Sequence, residues 1–283
     1  MNANEFSYGI EIESLVSNET VAREHLNIGR YHNGNQVPYL PQGWKAEHDS
    51  SIRVTAGHTD CEIISPILKG EEGIKQVIEV LRILKEKSHT VNESTAIHIH
   101  TFFDPEWGSD KLARLITVAS YLEKGIFATT GTKKRERGTY CNAIRKYGNN
   151  KEAKNIMGSR RYHFLNITNL ANHSKNTVEF RAFSGSLNEV KIVGWIQLCI
   201  AIVEKAIDTK RLPKWSPKQP KCFWAKDGKG QTELGRLLSY IGWQTGYARN
   251  LAGKQYGWIT DIIPQDEIKK EFRRLAKKYD SEE

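Results

Sequence analysis

The chain has 283 residues, of which 39% are hydrophobic and 10% aromatic, so it can bury a sizeable core and is not a disordered chain. Its formal net charge is +9, and the excess is concentrated from residue 205 onward, where 17 basic residues accompany 10 acidic ones. Such a basic region favours solvated helices, with a polyanionic partner as the alternative.

Cysteine usage and the N-terminus predict the compartment. The four cysteines are scattered without C-x-x-C spacing, and the N-terminus lacks the basic-then-apolar layout of a secretion signal. The longest nearly uncharged stretch, residues 192–203, is shorter than the roughly 20 residues of a membrane span. We therefore expect a cytoplasmic protein that does not enter the membrane.

The first third of the chain predicts strands followed by a helix. Strand-like stretches occupy residues 6–15, 51–56 and 61–68, with turn-forming residues between them. From residue 71 the apolar residues recur with a period of 3.6, which predicts a helix over 71–88 packed on the sheet. A further strand is predicted over 94–103.

The middle of the chain predicts a second helix and a long polar excursion. Ser109 is the predicted N-cap of this helix. Residues 129–160 are polar, basic and dotted with glycine, which predicts either a mobile lid or a solvated loop with some helix. The basic run K-K-R-E-R at 133–137 could close over phosphates, although a solvated charge run is the commoner meaning of this pattern.

The last third predicts a strand pair followed by helices. Residues 161–170 and 176–185 are predicted to pair through a turn. Ser186 and Glu189 fit a capping box that opens a long apolar helix. An amphipathic helix is predicted after Pro264, because apolar residues recur there at helical spacing.

Three of the predicted strands place ionisable side chains on alternate residues. These pairs are Glu11 and Glu13, His98 and His100, and Glu179 and Arg181. Residues i and i+2 of a strand share a face, about 6.5 Å apart, and apolar residues fill the intervening positions here. Acids are depleted in strands, so this pattern is not filler. One face is predicted to form a core and the other a site.

Glutamates and imidazoles that converge from separate strands predict a divalent metal site. With Glu62 the set holds four carboxylates, which would repel one another and take up protons unless a cation lies among them. Mostly carboxylate ligation favours Mg²⁺ or Mn²⁺ over zinc, and a two-histidine, one-carboxylate iron site is left open. Magnesium points to phosphates, and Arg181 beside Glu179 could hold a transferring phosphoryl group.

Each pattern also has a structural interpretation. An E-x-E strand is commonly a solvated sheet edge, and an E-x-R pair can be a cross-strand salt bridge. Three such faces, each backed by core residues, favour a site over three independent coincidences. The sequence holds no Walker A motif and no G-x-G-x-x-G after a strand, so a nucleotide would bind a different architecture.

Six short motifs follow one another in an informative order. They are G-I-E-I-E at 9–13, W-x-x-E-x-D-x-S at 44–51, C-E-I-I-S-P at 61–66, H-I-H at 98–100, R-Y-x-x-L-N at 161–166 and E-F-R at 179–181. This order, over residues 6 to about 205, resembles the amidoligase family of the glutamine synthetase and glutamate-cysteine ligase superfamily. The resemblance implies an α+β fold with an antiparallel, curved β-sheet like the glutamine synthetase catalytic domain, flanked by helices.

The resemblance also implies a reaction in which ATP converts a carboxylate into an acyl phosphate that an amine then attacks, with two or three Mg²⁺ ions bound. The implied metal ligands are Glu11, Glu13, Glu62, Glu179 and one of His98 and His100. Arg181 would face the transferred phosphate. Asp49 and Ser51 would lie on the substrate side, with Asp49 helping to accept or orient the amine. Arg161 and Asn166 would contact nucleotide or substrate, with a structural role as the alternative.

The resemblance divides the chain into two parts. Residues 1–210 are predicted as the catalytic domain, and residues 211–283 as a helical C-terminal extension packed on the same domain. The 129–160 segment and the residues past 210 match nothing in the family pattern. Contacts to the nucleotide base and specificity for the amine are therefore not transferable.

The predicted function is an ATP-dependent carboxylate-amine ligase that uses Mg²⁺ or Mn²⁺. The alternative is a metal-dependent nuclease or phosphohydrolase acting on nucleic acid, because nucleases also pair acids with Mg²⁺ and the chain is basic. A third possibility is a catalytically inactive scaffold. The predicted partners are a carboxylate and an amine, including a peptide or other macromolecular acceptor, and the oligomeric state stays open.

Overall fold

An antiparallel sheet with helices packed on its apolar face organises the computed structural model, which describes residues 2–144, 158–210, 222–223, 232–244 and 254–282. The strands are β1 (Ser7–Ser17), β2 (Asn35–Gln36), β3 (Lys45–Glu47), β4 (His58–Ile64), β5 (Leu68–Lys69), β6 (Ala96–Phe102), β7 (Leu165–Asn166) and β8 (Thr177–Ser184). The helices are α1 (Asn18–Arg23), α2 (Gly70–Glu86), α3 (Gly108–Ala128), α4 (Lys134–Arg137), α5 (Thr168–Ala171), α6 (Glu189–Asp208), α7 (Glu233–Tyr240) and α8 (Gln265–Ser281), with 3₁₀ turns at Ala3–Glu5 and Pro105–Trp107.

The strand order is β2-β3-β4-β1-β6-β8-β7, and β5 pairs with β1 beside this path. Every pairing is antiparallel. The long central strand β1 therefore joins the two halves of the sheet. The predicted α+β class, antiparallel sheet and flanking helices are confirmed.

Alternation along the central strands separates an apolar face from a polar one. Ile10, Ile12, Ile97 and Ile99 are at most 1% exposed and belong to one core together with the flanking helices. On α6, Trp195 stacks on Phe183 of β8, with ring centroids 4.9 Å apart. Burying each such side chain contributes about 1.5–3 kcal/mol, and this packing fixes which face the intervening charged residues share.

A bulge interrupts the pairing of β6 with β8. Its flanking pairs are Ile97 with Phe183 and Ile99 with Phe180. Between these pairs β6 contributes only His98, whereas β8 contributes Arg181 and Ala182. A bulge bends its strand and redirects the side chains there, so it changes where Arg181 points relative to an unbroken ladder.

Two predicted helix starts are wrong. Ser109 lies inside α3, whose N-cap is Trp107, and Gly108 between them adopts a φ of +81° where the chain leaves the 3₁₀ turn. The N-cap of α6 is Asn188, whose side chain accepts a hydrogen bond from the backbone of Lys191 at 3.0 Å. Ser186 instead accepts a hydrogen bond from the backbone N–H of Asn188.

The predicted strand over 51–56 is also wrong. The backbone N–H of Arg53 donates to Ser94 Oγ at 2.8 Å, and its carbonyl accepts from Asn92 Nδ2 at 2.8 Å. Side chains of a neighbouring loop thus form the hydrogen bonds of this backbone, so it does not need to pair with another strand. The predicted helix 71–88 and strand 94–103 are confirmed as α2 and β6 to within a few residues.

The described C-terminal helices pack on the same core as the sheet. Phe272 and Ile268 of α8 are fully buried, and Gly194 of α6 lets α8 approach closely: a Cβ there would lie 2.8 Å from Ile268 and 3.0 Å from Phe272. The amphipathic helix predicted after Pro264 is confirmed as α8. Among the described helices, none has both the length and the apolar composition to cross a membrane.

The domain division at residue 210 stays a prediction. Residues 211–221, which would form the junction, lie outside the described part of the chain, and so do residues 145–157 of the predicted polar excursion. Within that excursion the structure describes α4, which confirms some helix.

Replacing Phe272 with alanine is expected to lower the free energy of unfolding by about 3–5 kcal/mol, because it removes a fully buried ring between α6 and α8. The exposed neighbour Arg273 provides a matched control, and Arg273→Ala should change stability by no more than about 0.5 kcal/mol. Urea denaturation measures both. Similar small losses in both variants would show that α8 does not share the core.

Candidate active site

An open cavity of about 1420 Å³ lies over the polar face of the sheet. All eleven side chains that the sequence singles out line it: Glu11, Glu13, Asp49, Ser51, Glu62, His98, His100, Arg161, Asn166, Glu179 and Arg181. They come from β1, β4, β6, β7 and β8 and from two connecting segments. The structure thus brings all eleven predicted residues into one cavity.

Three carboxylates stand opposite one another on neighbouring strands. Glu62 of β4 pairs in register with Glu13 of β1 on one side and with Glu47 of β3 on the other. All three are at most 4% exposed. Like charges directly opposite each other in a sheet are destabilising, so this row needs nearby positive charge.

Glu11 links the two imidazoles of β6. His98 Nδ1 lies 2.9 Å from Glu11 Oε2, and His100 Nε2 lies 2.9 Å from Glu11 Oε1. His98 also lies 3.5 Å from Glu13 and 3.7 Å from Glu179, so it occupies the centre of the acidic cluster. Both histidines therefore lie at hydrogen-bonding distance from one carboxylate, that of Glu11.

Glu179 is held by an arginine and an amide. Arg181 Nη1 lies 2.5 Å from Glu179 Oε1, and Asn166 Nδ2 donates to Glu179 Oε2 at 2.7 Å. The amide oxygen of Asn166 accepts from both the backbone and the hydroxyl of Thr168. These contacts occupy both ends of the Asn166 amide within the protein and orient the Glu179 carboxylate.

Electrostatic interactions within the cluster give its acids very different pKa values. Burial, followed by the charges of Glu11 and Glu13, raises the pKa of Glu62 to about 10, so this carboxyl is protonated at neutral pH. Burial also acts to raise the pKa of Glu11, but the charges and hydrogen bonds of His100 and His98 outweigh it and hold that pKa well below its usual value. Burial lowers the pKa of His100, and Glu11 more than reverses this effect.

The donor chemistry of the cluster fits divalent cations. Three groups of donor atoms each lie within 4.8 Å of one another: Glu11, His100 and Glu179; Glu11, Glu62 and His98; Glu13, Asp49 and Glu62. Carboxylate oxygens dominate all three groups, which is the ligand set of Mg²⁺ and Mn²⁺. A cation beside Glu62 would also lower its pKa and replace the proton.

Asp49 and Ser51 follow β3 in a tight turn at the edge of the cavity. The backbone N–H of Ser51 donates to Asp49 Oδ1 at 2.7 Å, and the backbone N–H of Asp49 donates to Asp60 Oδ2 at 2.9 Å. These bonds fix the Asp49 carboxylate at the edge of the acidic cluster, beside Glu13 and Glu62.

Arg161 joins two distant parts of the chain across the cavity. Its Nη1 donates to the hydroxyl of Tyr31 at 2.7 Å, and its guanidinium lies over the rings of Tyr31 and Tyr162 at 5.9 and 5.3 Å. Tyr31 precedes β2, and Arg161 precedes β7, which are the two ends of the strand order. The contact therefore connects both edges of the sheet.

Among the cavity residues that the sequence did not assign, two carry charges that matter to the site. Glu47 stands within the W-x-x-E-x-D-x-S motif, and its register opposite Glu62 identifies it as part of the acidic row. The backbone N–H of His32 donates to Glu47 Oε1 at 3.0 Å. Arg135 belongs to a basic run that predicts solvated side chains, yet it lines the cavity. No sequence signal separates it from its charged neighbours.

Comparison with known proteins finds a structural relative and a matching family. The fold is similar to the crystal structure of a bifunctional glutathione synthetase from Pasteurella multocida, with a TM-score of 0.50 and 11% sequence identity. The match covers 98% of this chain and 48% of that one, so this chain spans about half the length of that protein. No curated protein matches the sequence. A family described as "Putative amidoligase enzyme" matches residues 4–152 and 144–203, which is most of the chain. The protein therefore belongs to this amidoligase family of enzymes.

Proposed function

We propose that this protein is an ATP- and Mg²⁺-dependent carboxylate-amine ligase that acts through an acyl phosphate. Membership of the amidoligase family supports formation of a carbon–nitrogen bond. The observation that carries the ATP-dependent mechanism is the convergence of three cation-binding donor groups beside Arg181 in one cavity. Metals to neutralise phosphates and a cation to hold the moving phosphoryl group are what this chemistry requires.

The metals would occupy two of the donor groups of the acidic cluster and the Glu13 and Glu62 carboxylates of the third, which leaves the Asp49 carboxylate for the amine. Glu11 belongs to two of these groups, with His100 and Glu179 in one and Glu62 and His98 in the other. Bound Mg²⁺ would supply charge neutralisation for the phosphates of ATP. Mn²⁺ has the same preference for oxygen-rich sites and is the expected substitute.

In the first chemical step a carboxylate oxygen of the acid substrate attacks the γ-phosphorus of ATP, and ADP leaves. Arg181 is proposed to bind oxygens of the transferring group, because it lies at the border of the acidic cluster and presents a planar set of donors. Glu179 and Asn166 would fix the orientation of this guanidinium. Arg161, which lines the same cavity, is proposed to contact the nucleotide or the substrate from the segment before β7.

In the second step the amine nitrogen attacks the carbonyl carbon of the acyl phosphate, inorganic phosphate leaves, and the nitrogen loses a proton. Asp49 is proposed to orient the amine and accept this proton, because its carboxylate is fixed at the edge of the acidic cluster by the N–H of Ser51. The open cavity has room for a peptide or other macromolecular acceptor.

We further propose that the sheet corresponds to the curved, ATP-binding sheet of the glutamine synthetase catalytic domain. Its antiparallel strands and the polar face with alternating acids support this assignment. A cytoplasmic location is proposed because all four cysteines are free and buried, as in proteins of reducing compartments.

A metal-dependent nuclease, which is the alternative predicted from the sequence, could use the same acidic cluster. Membership of the amidoligase family favours the ligase instead. The two functions differ in whether ATP is consumed, so one assay separates them.

With ATP, Mg²⁺ and a panel of carboxylates, hydroxylamine is expected to trap the acyl phosphate as a hydroxamate. A carboxylate labelled with ¹⁸O should transfer one label to the released phosphate, because its own oxygen attacks phosphorus.

Arg181→Ala should lower kcat by about 10²–10³-fold, since it removes a donor to the transferring group. Glu11→Gln should abolish turnover, because Glu11 belongs to two of the donor groups.

Arg273→Ala, on the exposed side of α8, serves as the control and should retain full activity. Undiminished turnover in both Glu11→Gln and Arg181→Ala would rule out the assigned site. Cleavage of DNA or RNA without ATP, together with no hydroxamate from any carboxylate, would establish the nuclease alternative.

Binding of Mn²⁺ at pH 8 is expected to release about one more proton from the wild type than from Glu62→Gln. The reason is that Glu62, with a pKa of about 10, is protonated before the cation binds and ionised afterwards. Calorimetric titration in buffers of different ionisation enthalpy counts the protons. Glu19→Gln, whose side chain is 85% exposed, is the control and should behave as the wild type. Equal proton release from wild type and Glu62→Gln would contradict the cation assignment.

A further inference from the structure

Arg135 approaches the site from outside the sheet. It lies on α4, which packs against β8, and its Nη2 donates to the backbone carbonyl of Arg181 at 2.6 Å. Both arginines line the same cavity. The two arginine side chains therefore line one cavity from different elements, one from the sheet and one from α4.

Each of these two guanidinium groups keeps an unused donor. The Nε atoms of Arg135 and Arg181 are buried, and neither has a hydrogen-bond partner among the described residues. A buried charged donor without an acceptor is destabilising, so an acceptor at this place would stabilise both arginines. Two such donors on cations that line one cavity favour an oxyanion as that acceptor.

Arg135 also shares the cavity with the acidic side of the site. Glu13, a member of one of the three donor groups, lines the same cavity as Arg135 and Arg181. A phosphate bound to metal at these acids would therefore lie in the cavity that both arginines line.

The neighbouring cation of the basic run is arranged differently. Lys134 forms an ion pair with Glu93, and the side chains of the pair are 56% and 68% exposed. An exposed pair of this kind is solvated and contributes little to binding an anion. Lys134 lines the cavity as well, but its ion pair with Glu93 occupies it, so Arg135 is the stronger candidate on α4.

The end of α8 holds the segment that carries Arg135. Glu282 accepts hydrogen bonds from the backbone N–H of Lys133 and, at 2.9 Å, from the hydroxyl of Thr132. The hydroxyl of Tyr279 donates to Glu136 within α4, and the Tyr279 ring is 2% exposed in the core. These contacts flank Arg135 on both sides along the chain.

We propose that Arg135 binds the phosphoryl group in transfer together with Arg181, and that Tyr279 and Glu282 at the end of α8 position it. This inference rests on the proposed ligase function and names a second phosphate-binding residue for it. As the γ-phosphoryl group moves to the substrate carboxylate, charge spreads over its equatorial oxygens, and two guanidinium groups can stabilise them with paired N–H donors. The C-terminal extension, beyond the stretch that matches the family, would then contribute to catalysis by holding α4.

The first test uses Mg-ADP with aluminium fluoride, a mimic of the transferring phosphoryl group. Adding fluoroaluminate should tighten binding of Mg-ADP to the wild type, and Arg135→Ala should lose this tightening while its affinities for Mg-ADP and Mn²⁺ stay within about twofold. In the hydroxamate assay Arg135→Ala should lower kcat by about 10²-fold, and free guanidinium should restore part of the loss. Arg137→Ala on the same helix is the control and should leave both readouts unchanged.

The second test measures coupling between α8 and Arg135. Tyr279→Phe keeps the buried ring, removes its hydroxyl, and is expected to lower kcat more than it changes KM. The same substitution in the Arg135→Ala background should have no further effect on kcat, because Tyr279 would act through Arg135. Tyr256→Phe, which removes a hydroxyl bonded to Asp208, is the matched control and should be neutral in both backgrounds.

The outcomes separate this inference from the proposed function. If the wild type forms hydroxamate and Arg135→Ala keeps full kcat and the fluoroaluminate effect, Arg135 has no such role and the ligase function stands. Equal losses of kcat from Tyr279→Phe in both backgrounds would overturn the positioning role of α8. If the wild type forms no hydroxamate and shows no fluoroaluminate effect, both the ligase function and this inference are overturned.

Discussion

The rest of the site depends on the alignment of like charges across the centre of the sheet. Antiparallel register sets Glu62 directly between Glu13 and Glu47, at positions where side chains stand about 4.5–5.5 Å apart. Burial removes the water that would screen these carboxylates, and the pKa of Glu62 rises to about 10 as a result. Cations among the acids would relieve this repulsion, so the repulsion between the carboxylates and their suitability as cation ligands have the same cause.

The protein holds this cluster in place from two directions. On the opposite face, buried isoleucines such as Ile12 and Ile97 pack against the helices and prevent the strands from turning their acids outward. Within the polar face, Glu11 is shared by His98 and His100, and Glu179 by Arg181 and Asn166. The apolar packing supplies most of the stability, and the polar contacts set the orientation of each carboxylate.

The positive side of the cavity is assembled from elements of different origin. Arg181 enters at the bulge of β8, Arg135 from α4, and Arg161 from the segment before β7. Two of them meet partners that are remote in sequence: Arg161 bonds Tyr31, and Arg135 bonds the backbone carbonyl of Arg181. An acidic floor that suits cations thus adjoins a wall of guanidinium groups that suits phosphate oxygens, which is the arrangement a metal-bound nucleotide requires.

The sequence by itself determined which residues of β1, β6 and β8 share the polar face, because alternation is a local property of an extended backbone. It also determined the family, through short motifs in a fixed order. Only the tertiary structure decided that Glu47 stands opposite Glu62, that a bulge displaces Arg181, and that Arg135 of a basic run points into the cavity. Register, bulges and the docking of α4 on β8 depend on packing between segments far apart in the chain, and no local pattern encodes that packing.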